Sequence, residues 1–107
     1  MKIIIDECLP KKLKNDFGIN FIVKTVPEMG WNGISNGDLL NLIYKKFDVF
    51  ITIDSNLVYQ QNLDRFPNLK IIVLKAKTNR YYDLKKLVHK IIKILIRKFY
   101  YQVFVIK

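Results

Sequence analysis

Two of the most apolar segments of the chain are each followed directly by an aspartate. Residues 2–5 precede Asp6, and residues 48–53 precede Asp54. Segments that are apolar on both faces are typical of buried strands in a parallel sheet. If these two strands are neighbours, their ends lie about 5 Å apart, and two carboxylates at that distance repel each other. A cation between them would relieve the repulsion, so the pair predicts a metal site.

Other polar side chains near these two aspartates could complete such a site. Asp38, at the start of a predicted helix, is a candidate third ligand, and Glu7 follows Asp6 directly. Thr52 and Asn56 flank Asp54 and are candidates for orienting groups around the ligands. Asn56 could also supply an amide oxygen or a hydrogen bond to a bound water. Oxygen donors of this kind suit Mg²⁺ or Mn²⁺. A single cysteine and a single histidine argue against zinc.

Each aspartate also has a structural interpretation. Asp54 could cap the helix that follows it, and Asp38 stands three residues after Ser35, the spacing of a helix capping box. Asp6 is harder to explain in this way, because Pro10 places the next helix start several residues later. The metal-site prediction therefore depends on the joint placement of the three acids.

The remaining sequence supplies an alternation of strands and helices. This pattern predicts a three-layer α/β/α domain over residues 1–107, with a mostly parallel five-stranded sheet. In such sheets, ligands bind beyond the carboxyl ends of the strands, near the point where the strand order reverses. The predicted strands are 2–5, 20–26, 48–53, 70–74 and 101–106, and the predicted helices are 10–16, 36–46, 56–64 and 81–98.

The charge of the chain favours a polyanionic partner. The formal net charge is +10, from 19 basic and 9 acidic residues. Lys75, Lys77 and Arg80 follow the fourth predicted strand, so their loop should open at the edge that carries the acids and contact nucleic acid. The alternative is a solvated polar loop.

The last predicted helix carries a second basic row, formed by Lys86, Lys90, Lys93 and Arg97. This row is interpreted first as the solvated face of the helix. The alternatives are contact with RNA, with an acidic partner or with a membrane surface.

Several features bear on location and partners. The single Cys8 excludes an internal disulfide and fits a reducing cytoplasm. No signal peptide is expected, and basic residues interrupt the apolar stretch 84–101, so it should not span a membrane. His89 is expected at the surface. The closing strand is unusually apolar for an edge, and we expect a second copy of the chain or a partner to cover it. The apolar residues in and just before this strand are Tyr100, Tyr101, Val103, Phe104 and Val105.

Three motifs occur in order along the chain: IIIDECLPKKL, GWNGISNGDLL and VFITIDSNL. Together they resemble the short stand-alone PIN-like proteins, often described as toxin-like partners of a small antitoxin. The similarity extends to about Arg80. It implies a PIN-like fold and a metal-dependent ribonuclease site with Asp6, Asp38 and Asp54 as metal-binding and catalytic acids, and Glu7 belongs to the same opening motif.

The resemblance also implies an RNA substrate, a small antitoxin partner and a type II toxin–antitoxin role. Many relatives have an aspartate at the position of Asn56, so this chain has one negative charge fewer there. The difference leaves open a catalytically weak or inactive module that binds RNA or a protein. A receiver-like domain, phosphorylated on a strand-end aspartate, is a third interpretation.

Overall fold

Each predicted strand forms, and each runs parallel to its neighbours. The computed structural model describes residues 1–97 and 101–107. The strands are β1 (Lys2–Ile5), β2 (Ile22–Thr25), β3 (Val49–Thr52), β4 (Lys70–Leu74) and β5 (Val103–Ile106), and the α-helices are α1 (Asn36–Tyr44), α2 (Leu57–Gln60) and α3 (Tyr81–Leu95). The three-layer α/β/α prediction is confirmed, and the five-stranded sheet is parallel throughout.

The strand order of the sheet is β2-β1-β3-β4-β5. The chain therefore places β2 on one side of β1 and then crosses to place β3 on the other side. Ile3 lies opposite Val49 and Ile5 lies opposite Ile51, so β3 ends one residue beyond β1. The order reverses between these two strands, and a ligand site in a sheet of this kind is expected beyond their carboxyl ends.

The sheet buries apolar side chains on both faces because residues alternate along each strand. One face, with Ile3, Ile5 and Ile51, packs against α3. The opposite face, with Ile4 and Phe50, packs against α1 and α2. The buried residues of α3 recur at helical spacing and form one apolar stripe: Leu84, Leu87, Val88, Ile91 and Leu95. The same spacing in the sequence predicts Phe99 on this stripe, but Phe99 lies outside the described residues.

Three predicted segments differ from the structure. The segment predicted as a helix over 10–16 is a 3-10 helix at Lys11–Asp16, and the predicted loop 27–37 contains a 3-10 turn at Pro27–Met29. The helix predicted over 56–64 is wrong, because α2 ends after one turn at Gln60. Gln61 is extended there (φ −113°, ψ 145°), and the Asn62 side chain accepts from the Asp64 N–H to begin a separate turn.

Glu28 closes the carboxyl end of the edge strand β2. Its carboxylate accepts hydrogen bonds from the Thr25 N–H at 2.6 Å and from the Lys14 ammonium at 2.9 Å. Burial alone would raise the pKa of Glu28, but these hydrogen bonds and the charges of Lys14 and Lys24 outweigh it and lower the pKa. The ionised carboxylate therefore stabilises the folded state.

Glu28→Gln is expected to lower the free energy of unfolding by about 0.5–1 kcal/mol at neutral pH, since the side chain is partly exposed. Because the folded-state pKa lies below the ordinary value of 4.5, the wild-type advantage should be complete above that pH. It should disappear as the pH falls through the folded-state pKa. Urea unfolding at several pH values measures this. Lys14→Gln should remove a similar increment, and a deficit that does not depend on pH would contradict the assignment.

Candidate active site

Asp6 and Asp54 stand where the sequence predicts, at the carboxyl ends of the neighbouring central strands. The Asp6 N–H donates to the Ile51 carbonyl at 2.9 Å, which continues the pairing of β1 with β3 past the end of β1. Asp6 is only 9% exposed. Its Oδ1 accepts from the Glu7 N–H at 2.8 Å, and its Oδ2 accepts from the Thr52 hydroxyl at 2.6 Å. The carboxylate is thus held in one orientation.

The Thr52 hydroxyl joins the two strand ends. It is fully buried, and it donates to Asp6 while it accepts from the Asp54 N–H at 3.0 Å. One hydroxyl group therefore fixes the carboxylate of the first acid and the backbone of the second. This placement fits the orienting role predicted for Thr52.

Asp54 is half-buried and has two partners. Its Oδ1 accepts from the Asn56 N–H at 3.0 Å, which places it in the turn before α2 and agrees with its structural interpretation. Its Oδ2 accepts from the Asn36 amide at 3.4 Å. Asn36, the first residue of α1, was not among the predicted site residues. Its place in the GISNGDLL motif, between Ser35 and Asp38, is the sequence signal for it.

The carboxylates of Asp38 and Glu7 accept hydrogen bonds from residues other than Asp6 and Asp54. Asp38 is exposed at the start of α1, where its carboxylate accepts from the Ser35 hydroxyl at 3.2 Å. Glu7 accepts from the Gly33 N–H at 3.1 Å, and Gly33 adopts a left-handed conformation (φ 73°) that favours glycine. Glu7 reaches Asp6 through its backbone N–H, but within residues 1–97 and 101–107 no hydrogen bond links the side-chain carboxylate of Glu7 or Asp38 to Asp6 or Asp54. Their predicted roles as ligands stay predictions.

The side chains at this edge offer few donors for a divalent ion. The described part of the chain contains no group of three or more His, Cys, Asp or Glu side chains arranged to hold a metal. Asp6 and Asp54 follow the ends of the two strands at the switch in strand order, and the Asn36 amide donates to the Asp54 carboxylate at 3.4 Å. Mg²⁺ commonly binds one or two carboxylates and keeps several waters. The chemistry of these two carboxylates would suit Mg²⁺ or Mn²⁺ that keeps several waters, and metal binding stays a prediction.

Cys8 also contacts the first acid, a contact that sequence reasoning missed. Its Sγ lies 3.3 Å from Asp6 Oδ2 and 4.0 Å from the Thr52 hydroxyl. The residue as a whole is exposed, but partial burial of the thiol, together with the nearby charge of Asp6, raises the pKa of Cys8 to about 11. At neutral pH the thiol is protonated and donates to Asp6.

The predicted basic residues lie beside this edge. Lys75, Lys77 and Arg80 are exposed in the segment between β4 and α3, at the carboxyl end of the strand next to β3. His89 is exposed, as predicted. The second basic row is exposed on α3 or directly after it: Lys86, Lys90, Lys93 and Arg97.

Among the strands that the structure describes, β5 is at the edge of the sheet and pairs with β4. Val105 remains 49% exposed, and Tyr101 before it is exposed as well, whereas Tyr100 lies outside the described residues. Of the helices that the structure describes, none has the length and apolar character needed to cross a membrane. The unpaired outer side of β5 is a surface on which another chain could dock.

Comparisons with protein-family models, with curated proteins and with solved structures find no match to this chain. The resemblance to the PIN-like proteins therefore rests on the three sequence motifs.

Proposed function

We propose that this protein is a Mg²⁺- or Mn²⁺-dependent ribonuclease of the PIN-like class, the toxin component of a type II toxin–antitoxin system. The observation that carries the proposal is the pair Asp6 and Asp54 at the reversal of strand order, joined through the buried hydroxyl of Thr52. A fold built for stability alone gains little from two carboxylates at this edge. A site for a hydrated cation gives the pair a role.

Each residue at the site would have its own role in metal binding. Asp6 and Asp54 would hold the metal, and Thr52 would keep Asp6 turned toward it. Asn36, which touches Asp54, would restrain the second carboxylate. A bound divalent ion would supply a water nucleophile near neutral pH and offset the charge that develops on the phosphate oxygens.

Substrate binding would use the exposed basic segment beside the site. Lys75, Lys77 and Arg80 stand at the carboxyl end of β4, and the net charge of +10 would attract RNA from a distance. A shallow site at a sheet edge suits a single strand whose bases are splayed out better than a duplex. The proposed substrate is therefore single-stranded RNA.

The proposed partner is a small antitoxin. The unpaired edge of β5 and the exposed Val105 offer it, or a second copy of the chain, a place to dock. The lone Cys8 is compatible with work in the reducing cytoplasm.

The proposal is tested by incubating the purified chain with a labelled single-stranded RNA in the presence of Mn²⁺, Mg²⁺ or a chelator. We expect cleavage with either metal and none with the chelator. Calorimetry should show Mn²⁺ binding at millimolar concentrations. If neither binding nor cleavage is found, the ribonuclease proposal is wrong.

A non-catalytic module that binds RNA or a protein partner is the second candidate. Glu7 and Asp38 favour it, since each is held by a structural hydrogen bond, and Asn56 supplies no negative charge. This candidate predicts RNA or partner binding that persists in the chelator. The receiver-like interpretation predicts an acyl phosphate on an aspartate, which mass spectrometry after incubation with acetyl phosphate would detect.

A further inference from the structure

A groove of about 450 Å³ lies between the edge strand β2 and the end of α1. Apolar side chains, among them Ile22 and Phe47, line part of it. Lysines surround them: Lys2, Lys24, Lys45 and Lys46. We call this surface the lysine groove.

The register of the sheet explains why the lysine groove is open. Ile22 lies opposite Lys2, and Lys24 lies opposite Ile4, so these side chains share the face of the sheet that packs on α1. Ile4 is buried under that helix with Leu40 and its neighbours. Ile22, on the edge strand, stays 53% exposed, so this part of the face is left open.

The positive charge of the lysine groove is not neutralised by the described ion pairs. Those pairs join Lys14 to Glu28 and Lys85 to Asp16, and neither includes a lysine of the groove. Lys46 instead lies 5.9 Å from the centre of the Trp31 ring. A groove with an apolar floor and four ammonium groups is complementary to a ligand that carries both apolar groups and negative charges.

We propose that the lysine groove docks an acidic segment of a partner protein, with apolar side chains between its carboxylates. The apolar part of the lysine groove favours a protein segment over RNA as the ligand. Phe47 is buried there, so its ring is not open for a base to stack on. Side chains would make the contact, since Glu28 already occupies the outward N–H of Thr25 and so limits strand addition at the carboxyl end of β2.

This proposal does not depend on the metal site. Lys2 begins β1 and Asp6 follows its end, so the two lie about 13 Å apart along the strand at about 3.3 Å per residue. No metal ligand lines the groove. Loss of metal binding and loss of docking can therefore be measured separately.

The test uses fluorescence anisotropy with a labelled synthetic peptide in which Glu alternates with Leu. We expect saturable binding to the wild-type chain at physiological salt. Lys24→Glu combined with Lys45→Glu should weaken it at least about tenfold, because attraction becomes repulsion at two positions. Lys86→Glu combined with Lys93→Glu lowers the net charge equally on exposed positions of α3, and it should change the affinity less than about twofold.

A second variant tests the apolar floor. Ile22→Ser should weaken binding of the peptide and leave the binding of a single-stranded RNA oligomer unchanged, since only the peptide places apolar groups on Ile22. Three results would overturn the proposal: no saturable peptide binding, an equal loss in the α3 variant, or no effect of Ile22→Ser. The last result would indicate a surface that attracts any polyanion.

Discussion

Replacing Asp6 by asparagine is expected to remove detectable Mn²⁺ binding and to lower RNA cleavage at least about 100-fold. Asparagine keeps the shape of aspartate but loses its charge. The Thr52 hydroxyl, which donates to Asp6 Oδ2 in the native chain, can accept from the new amide instead. The fold should therefore survive the change, so the loss would report on the site. Calorimetry and a cleavage assay on the same preparation measure both effects.

Two matched variants sharpen this prediction. Asp64→Asn makes the same chemical change at an exposed position after α2, and it should leave metal binding and cleavage intact. Asp38→Asn tests whether Asp38, the third predicted ligand, contributes to metal binding and cleavage. A large effect would support direct or water-mediated binding, and a small one would leave Asp38 as the partner of Ser35 at the start of α1. Wild-type Mn²⁺ binding by Asp6→Asn would contradict the proposed metal site.

The sheet was predictable because its strands are encoded locally. Residues 2–5 and 70–74 are short apolar runs bounded by polar residues, and burial on both faces allows them few positions other than interior strands of a parallel sheet. The edge that carries Asp6 and Asp54 followed from this, since parallel strands end on the same side. The strand order did not follow, because it depends on packing between distant segments.

The details around the site were less predictable for a related reason. The break after Gln60 depends on one extended residue and on the side chain of Asn62, whose cap competes with continuation of the helix. The contact between Asn36 and Asp54 joins residues 18 positions apart and exists only after α1 packs beside β3. Likewise, the partner of Glu7 is a backbone group in a distant turn, Gly33. Spacing along the chain carries no signal for such contacts.

Thr52→Val is expected to affect both stability and the site. Valine has nearly the shape of threonine, so packing at this fully buried position should be retained. The change leaves the Asp54 N–H without its partner and removes a hydrogen bond from the buried Asp6 carboxylate. We expect the free energy of unfolding, measured in urea without metal, to fall by about 2 kcal/mol.

The comparison with Thr52→Ser separates the hydroxyl from the methyl group. Serine can make both hydrogen bonds and loses only buried methyl contacts, at a cost of about 1 kcal/mol. If the hydroxyl aligns Asp6 with Asp54, the serine variant should bind Mn²⁺ with nearly wild-type affinity, whereas the valine variant should bind about 10- to 100-fold more weakly. Equal Mn²⁺ affinity in the two variants would mean that Thr52 supports the fold without orienting the acids. If only the valine variant binds Mn²⁺ more weakly, the buried hydroxyl of Thr52 orients the two acids for the proposed metal site.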